Sequence, residues 1–279
     1  MDITGFFKRH PLWAYLIVAY AFSWALWLVL VVIYPPGVMQ EDIPATFMIL
    51  AMLGGIGPSV AGIVTTAVID GKPGLRDLGS RLKRWRVGIV WYAVALLVTP
   101  LIGLVTLAVE TALGMPTATL EQMTGSLPIS IIWPIFAALG EEIGWRGFCL
   151  PRLQKRHTAL GSSMIVGVAW GLWHIPTIYL AYRQYGLLVV FAYVFVVHFI
   201  AITAQTTVMT WVHNNARQSL LLMILFHFGL TSAAQFLFPL NMSVMKGLQH
   251  QPIYAAFYWL AAALVIARAG PKHLMRESH

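Results

Sequence analysis

Two adjacent glutamates, Glu141 and Glu142, stand inside an apolar run that begins near Pro128, and Arg146 follows one helical turn later. An ionisable group in hydrocarbon is costly unless it is paired or solvated, so it marks a functional site by default. Two more apolar stretches each supply a histidine. His174 closes Trp170-Gly171-Leu172-Trp173-His174, and His227 sits within Ile224-Leu225-Phe226-His227-Phe228. Glu142 and Arg146 are four residues apart and share a helix face. The planar guanidinium suits a carboxylate, so Arg146 is expected to neutralise Glu142 and hold the local structure. Glu141 projects about 100° away and has no partner on its own helix. With a histidine nearby it can act as a general base on water. Thr231 lies one turn beyond His227 on the same face, and two donors on one face can stabilise a developing oxyanion. The chemistry pointed to is hydrolysis by an activated water. His198 is a further histidine in an apolar stretch, with no companion motif, and is expected to pack between helices. Trp145, Trp170 and Trp173 are expected to wall the cavity.

The elements that carry these groups must lie in a bilayer. The chain has 279 residues, of which 59% are hydrophobic and 10% charged, with a mean hydropathy of +0.75. A soluble domain of this length does not carry so little charge. Only helices or closed barrels satisfy every backbone group in lipid, and continuous apolar runs of about 20 residues indicate helices rather than short alternating strands. The expected fold is an all-α polytopic bundle of about eight spans. They are placed near 11–33, 44–69, 87–109, 128–150, 159–179, 186–212, 219–238 and 252–267. The first is read as an uncleaved span, because no small-residue cleavage site follows it. Gly54, Gly55, Gly57, Ser59, Ala61 and Gly62 in the second permit close helix packing. Pro151 is expected to end the fourth, and Pro176 to bend the fifth. Glu41 and Asp42 fall in the first loop, and Glu110 opens a polar loop that runs to Leu127.

The net charge is +8. Nucleic acid is not the expected partner, because basic residues in such a chain mark its cytoplasmic loops. With eight spans, sixteen of the eighteen Lys and Arg fall on one side, and only Arg183 and Lys246 on the other. Both termini are therefore expected in the cytoplasm of a cell bearing the protein in its inner membrane. Six of the sixteen lie between Lys72 and Arg86, an anchor for anionic lipid. No loop is long enough to hold a soluble domain. The expectation is one integral membrane domain over 1–279, with a four-helix core at 128–240. Counting about 1.5 Å per residue puts Glu141 roughly 15 Å from the inner end of its span. His227 falls at a similar depth and His174 slightly further out, so the three can meet within the bundle. The single cysteine, Cys149, excludes an internal disulfide and a cysteine metal cluster.

Together the motifs Glu141-Glu142-x-x-x-Arg146, Trp170-x-x-x-His174 and the third histidine, His227, resemble the CAAX prenyl protease and bacteriocin-processing family of intramembrane glutamic proteases, also described as abortive-infection proteins. The resemblance covers about 128–235, and GEEIGWRGFCLPRLQ is similar to bacterial members. It implies an eight-helix fold with a cavity open to the cytoplasm. It also implies a water activated by Glu141 and His174, and His227 with its i+4 partner on the oxyanion. The family usually has asparagine at that i+4 position, where this chain has Thr231. No cofactor is expected. The alternative is zinc held by Glu141, His174 and His227, ligand types that suit it, although HExxH is absent. The expected partner is a membrane-bound peptide or protein substrate. A catalytically inactive scaffold or bacteriocin-immunity protein that binds a partner through the same cavity is the competing reading. A proton-coupled transporter is a weaker one, since neither paired half-helices nor symmetric halves are present.

Overall fold

The structure is a computed structural model that describes residues 2–37, 43–125, 127–238 and 244–275, with the side chains of 127–130, 197–198 and 244–247 outside that description. Glu41, Asp42 and Arg276, and the side chains of His198 and Lys246, therefore lie outside the described residues.

Every element among the described residues is helical. The chain runs through α1 (Ile3–Arg9), α2 (Pro11–Ile33), α3 (Ala45–Gly55), α4 (Gly57–Leu82), α5 (Ile89–Ala112), α6 (Leu120–Gly125) and α7 (Leu127–Gly144). A π turn, Trp145–Cys149, joins α7 to α8 (Leu150–Leu153). Then follow α9 (Ala159–Trp173), α10 (Ile175–Tyr182), α11 (Leu187–Ala192), a second π segment (Tyr193–Ala201), α12 (Ile202–Asn215), α13 (Leu220–Leu237) and α14 (Val244–Ala269). Among the described residues, six stretches are long and apolar enough to cross a membrane, or seven when the bent pair Ala159–Trp173 and Ile175–Tyr185 counts as one span. The eight expected spans are thus an approximate count. The stretch outside those seven is α7, the helix with the glutamates.

The site is framed by α7, which packs against α4 on one side and α13 on the other. Glycines set the α4–α7 distance. A Cβ on Gly144 would stand 2.1 Å from the Pro58 carbonyl oxygen. One on Gly62 would stand 2.9 Å from Gly144 Cα, and one on Gly140 2.7 Å from the Gly55 carbonyl oxygen. The backbones therefore meet directly, as small residues allow in lipid. The Ser59 hydroxyl adds a hydrogen bond to the Leu139 carbonyl at 2.8 Å. On the far side of α2, the Tyr20 hydroxyl donates to the Ala169 carbonyl at 2.5 Å and Trp24 Nε1 to the Trp173 carbonyl at 3.0 Å, pinning α2 to α9.

Three local expectations need correction. Pro151 does not end its helix. The π turn before it is wider than an α-turn, with the Leu150 N–H bonded five residues back to the Trp145 carbonyl. That geometry relieves the clash a proline ring makes with the carbonyl four residues earlier. The helix of the second span breaks at Gly71 (φ +61°), two residues past its expected end at Ile69, and a separate helical stretch beyond Pro73 runs on to Leu82. Glu110 is not a loop residue: it is buried in the last turn of α5, where His250 of α14 meets its carboxylate at 2.7 Å. α12 runs three residues past the expected end of the sixth span at 212, so His213 and Asn215 are helical. The Asn214 and Asn215 amides hold the C-terminal segment through the His273 and Leu274 carbonyls.

The basic segment is partly tied down. Arg152 binds Asp70, and Arg81 meets Asp77 at 3.1 Å. Arg183, assigned to the opposite side by charge counting, donates to the Val31 carbonyl at 2.7 Å and to that of Tyr34. It thereby satisfies carbonyls that the end of α2 leaves open.

Candidate active site

Glu141 and Glu142 follow one another on α7, and the helical turn sends them to different surroundings. Glu142 is completely buried. Its Oε1 accepts from Arg146 Nη1 and faces His227 Nδ1, each at 2.8 Å. An ionised carboxylate can only accept, so His227 donates from Nδ1. Arg146, also fully buried, directs Nη2 at the Met209 sulfur (3.1 Å) and lies 4.6 Å from the centre of the Trp170 ring. A guanidinium over an indole face is attracted by the ring quadrupole. One carboxylate thus joins α7 to α13, and its arginine reaches α12 and α9.

Glu141 faces a cavity instead. Its Oε2 accepts from Trp170 Nε1 at 2.5 Å. The cavity measures about 280 Å³, and Glu141, His174, Gln205, His227 and Thr231 all reach its wall. Trp27, Trp133, Trp170 and Trp173 supply much of the apolar lining.

His174 owes its setting to a break in the helix. Pro176 has no N–H, and α9 and α10 meet at 44°. At the break the His174 N–H turns to the Gly171 carbonyl at 3.2 Å. That frees the Trp170 carbonyl, its α-helical acceptor, which takes a hydrogen bond from the His174 ring at Nδ1 instead (2.8 Å). A carbonyl only accepts, so Nδ1 carries a proton and Nε2 is the second ring nitrogen of a residue on the cavity wall.

The residues singled out in the sequence therefore divide. Glu141, His174, His227 and Thr231 share one cavity, while Glu142 and Arg146 stand behind it. Trp145 does not wall the cavity. It is buried in the core, edge-on to Tyr15 at 5.6 Å and to Trp173 at 6.3 Å. Three features were not anticipated. The Glu142–His227 bond joins residues 85 apart in sequence, the Trp170 indole holds Glu141, and Gln205 of α12 reaches the cavity. For Gln205 a signal existed, a carboxamide among threonines within a membrane span. Among the described residues, no three His, Cys, Asp or Glu side chains converge closely enough to hold a metal ion. The zinc set Glu141, His174 and His227 shares a cavity without forming such a cluster.

Comparison with known proteins falls on this same segment. Residues 122–233 match the family model described as Type II CAAX prenyl endopeptidase Rce1-like. Over 95 residues the chain is 34% identical to a protein named CAAX prenyl protease 2 from Methanococcus maripaludis. The aligned part is 34% of this chain and 35% of that protein, so the chain spans about a third of the relative's length. The family resemblance read from the three motifs is borne out, and the matched segment contains all six residues assigned to the site.

Proposed function

We propose that the chain is an intramembrane endopeptidase that hydrolyses a peptide bond in a membrane-associated substrate. The observation that carries this reading is the single cavity shared by Glu141, His174, His227 and Thr231. Water bound between Glu141 and His174 attacks the peptide carbonyl. A C–O bond forms, and Glu141 takes the proton that the water loses. The oxyanion is stabilised by donors on the His227 and Thr231 side. As the tetrahedral intermediate collapses, the C–N bond breaks and the proton passes to the leaving nitrogen, giving a carboxylic acid and an amine. Glu142 and Arg146 position His227 and hold α7. The mechanism is proposed as glutamate-dependent and metal-independent. Stoichiometric zinc in purified protein, with activity lost in chelator, would replace it with metal chemistry on the same residues.

The relative's name supports a prenylated C-terminal tail as one substrate class, alongside other membrane-tethered peptides. The protein is proposed to act in the cell membrane with both termini cytoplasmic, as one integral domain. The Thr231 departure favours one competing reading, an inactive scaffold or immunity protein using the same cavity. The deciding experiment compares membrane-protein termini in cells carrying wild-type protein and Glu141→Gln. The substitution keeps an acceptor oxygen for Trp170 Nε1, so folding should persist while cleavage is abolished. New termini that depend on Glu141 establish the protease. Identical termini, with both proteins folded, favour the scaffold.

A further inference from the structure

We propose that the Gln205 carboxamide donates a hydrogen bond to the oxyanion, supplying from α12 the amide donor that the family usually places four residues after the third histidine. The proposal rests on the protease reading. Acyl-transfer sites aim preorganised donors at the developing charge, and removing one costs about 10²–10³ in kcat. The donors so far assigned fall short. His227 spends Nδ1–H on Glu142. Its Nε2 donates only while the ring carries a second proton. Thr231 offers one short hydroxyl where an asparagine would offer a carboxamide.

Gln205 is the one carboxamide among the described residues on the cavity wall. It is buried, with 6% of its surface exposed. Met209 follows one turn later on α12, and its sulfur meets Arg146 Nη2 at 3.1 Å. Residues four apart share a helix face, so Gln205 lies on the face that α12 turns toward the Glu142–Arg146–His227 cluster. A carboxamide N–H donates at every working pH, because the group does not titrate. The oxyanion donor set is then Gln205 from α12 with Thr231 and His227 from α13, in place of a set drawn from α13 alone. Gln205 also meets the Tyr254 side chain of α14, the contact on which a purely structural role would rest.

The test uses full-length protein in phosphatidylethanolamine–phosphatidylglycerol vesicles and a synthetic peptide spanning the cleavage site found in the terminus comparison. Gln205→Met keeps length and apolar fit but removes the donor. It should lower kcat about 100-fold while KM and melting temperature stay near wild type. Adding Thr231→Asn to Gln205→Met should recover at least about tenfold of that loss, a rescue that a structural role would not produce. Wild-type kcat in Gln205→Met, with Glu141→Gln inactive, would overturn the Gln205 role and leave the protease reading standing. A loss seen mainly in KM or melting temperature and not rescued by Thr231→Asn would also overturn it. Should Gln205→Met fail to fold, Gln205→Asn, which stays polar but is too short to reach, is read by the same criteria. If wild type yields no Glu141-dependent terminus, the protease reading and the Gln205 role fall together.

Discussion

Glu142 shows what a single residue does in this molecule. Its Oε1 is shared between Arg146 and His227, so Arg146 matters to the histidine without touching it. Breaking a buried pair leaves an uncompensated charge and typically costs about 3–5 kcal/mol. Arg146→Ala should therefore lower the melting temperature markedly or reduce the folded yield in detergent, and a variant that melts like wild type would mean that the charge is solvated. The split between the two glutamates was legible in the sequence, because consecutive residues on a helix point about 100° apart and Arg146 claims only one of them. The Glu142–His227 bond and the Trp170–Glu141 bond were not legible. Each joins different helices, and spacing along the chain carries no information about how helices rotate against one another. Thr231 could be placed beside His227 because both lie on one helix. Gln205 lies on another, and only the packing of α12 brings it to the same cavity.

At the scale of elements, helices read well and their irregularities unevenly. Continuous apolar runs marked the spans, and Pro176 announced the bend at His174, because a missing N–H is a property of the residue itself. The π turn at Trp145–Cys149 had no comparable sign, so Pro151 read as a terminator. A charge at the end of an apolar run reads as the start of a loop, and nothing near Glu110 in sequence points to its partner His250, 140 residues away. The α4–α7 seam was half legible. The glycines of α4 were evident as a packing surface, but their match to Gly140 and Gly144 required the structure. Gly144→Ala should cost about 1–3 kcal/mol through overpacking, since its Cβ would meet the Pro58 carbonyl. Gly79→Ala, where nothing lies within 4 Å, should be neutral or slightly stabilising, because alanine is the better helix former. Thermal melts of the two variants in the same detergent check both directions. Equal melts would mean that the seam relaxes to admit a methyl group.

For the whole molecule, the distribution of charge gives the sharpest expectation. With Arg146 buried at the site, fifteen of the other seventeen basic residues fall on one side of an eight-span arrangement, which predicts both termini in the cytoplasm. In a Cys149→Ser background, Asp2→Cys and Gly270→Cys should both react with an impermeant maleimide in inside-out vesicles and be protected in right-side-out cells. Opposite labelling of the two sites would require an odd number of crossings. Among the described residues, six or seven stretches pass by length and apolarity alone. Same-side labelling fits six or eight crossings, and opposite labelling fits seven.

Cys149 closes the π turn, five residues from Gly144 and within the protein interior. It is the one thiol in the chain. A thiol sealed inside a bundle reacts only when the bundle opens, so its labelling rate measures opening at the segment that follows the glutamates. The protein thus carries its own clock for local unfolding, readable by mass in crude membranes and independent of any substrate. Wild-type protein should take up a permeant maleimide slowly, and Arg146→Ala much faster. Equal rates would place the damage of that substitution elsewhere in the fold.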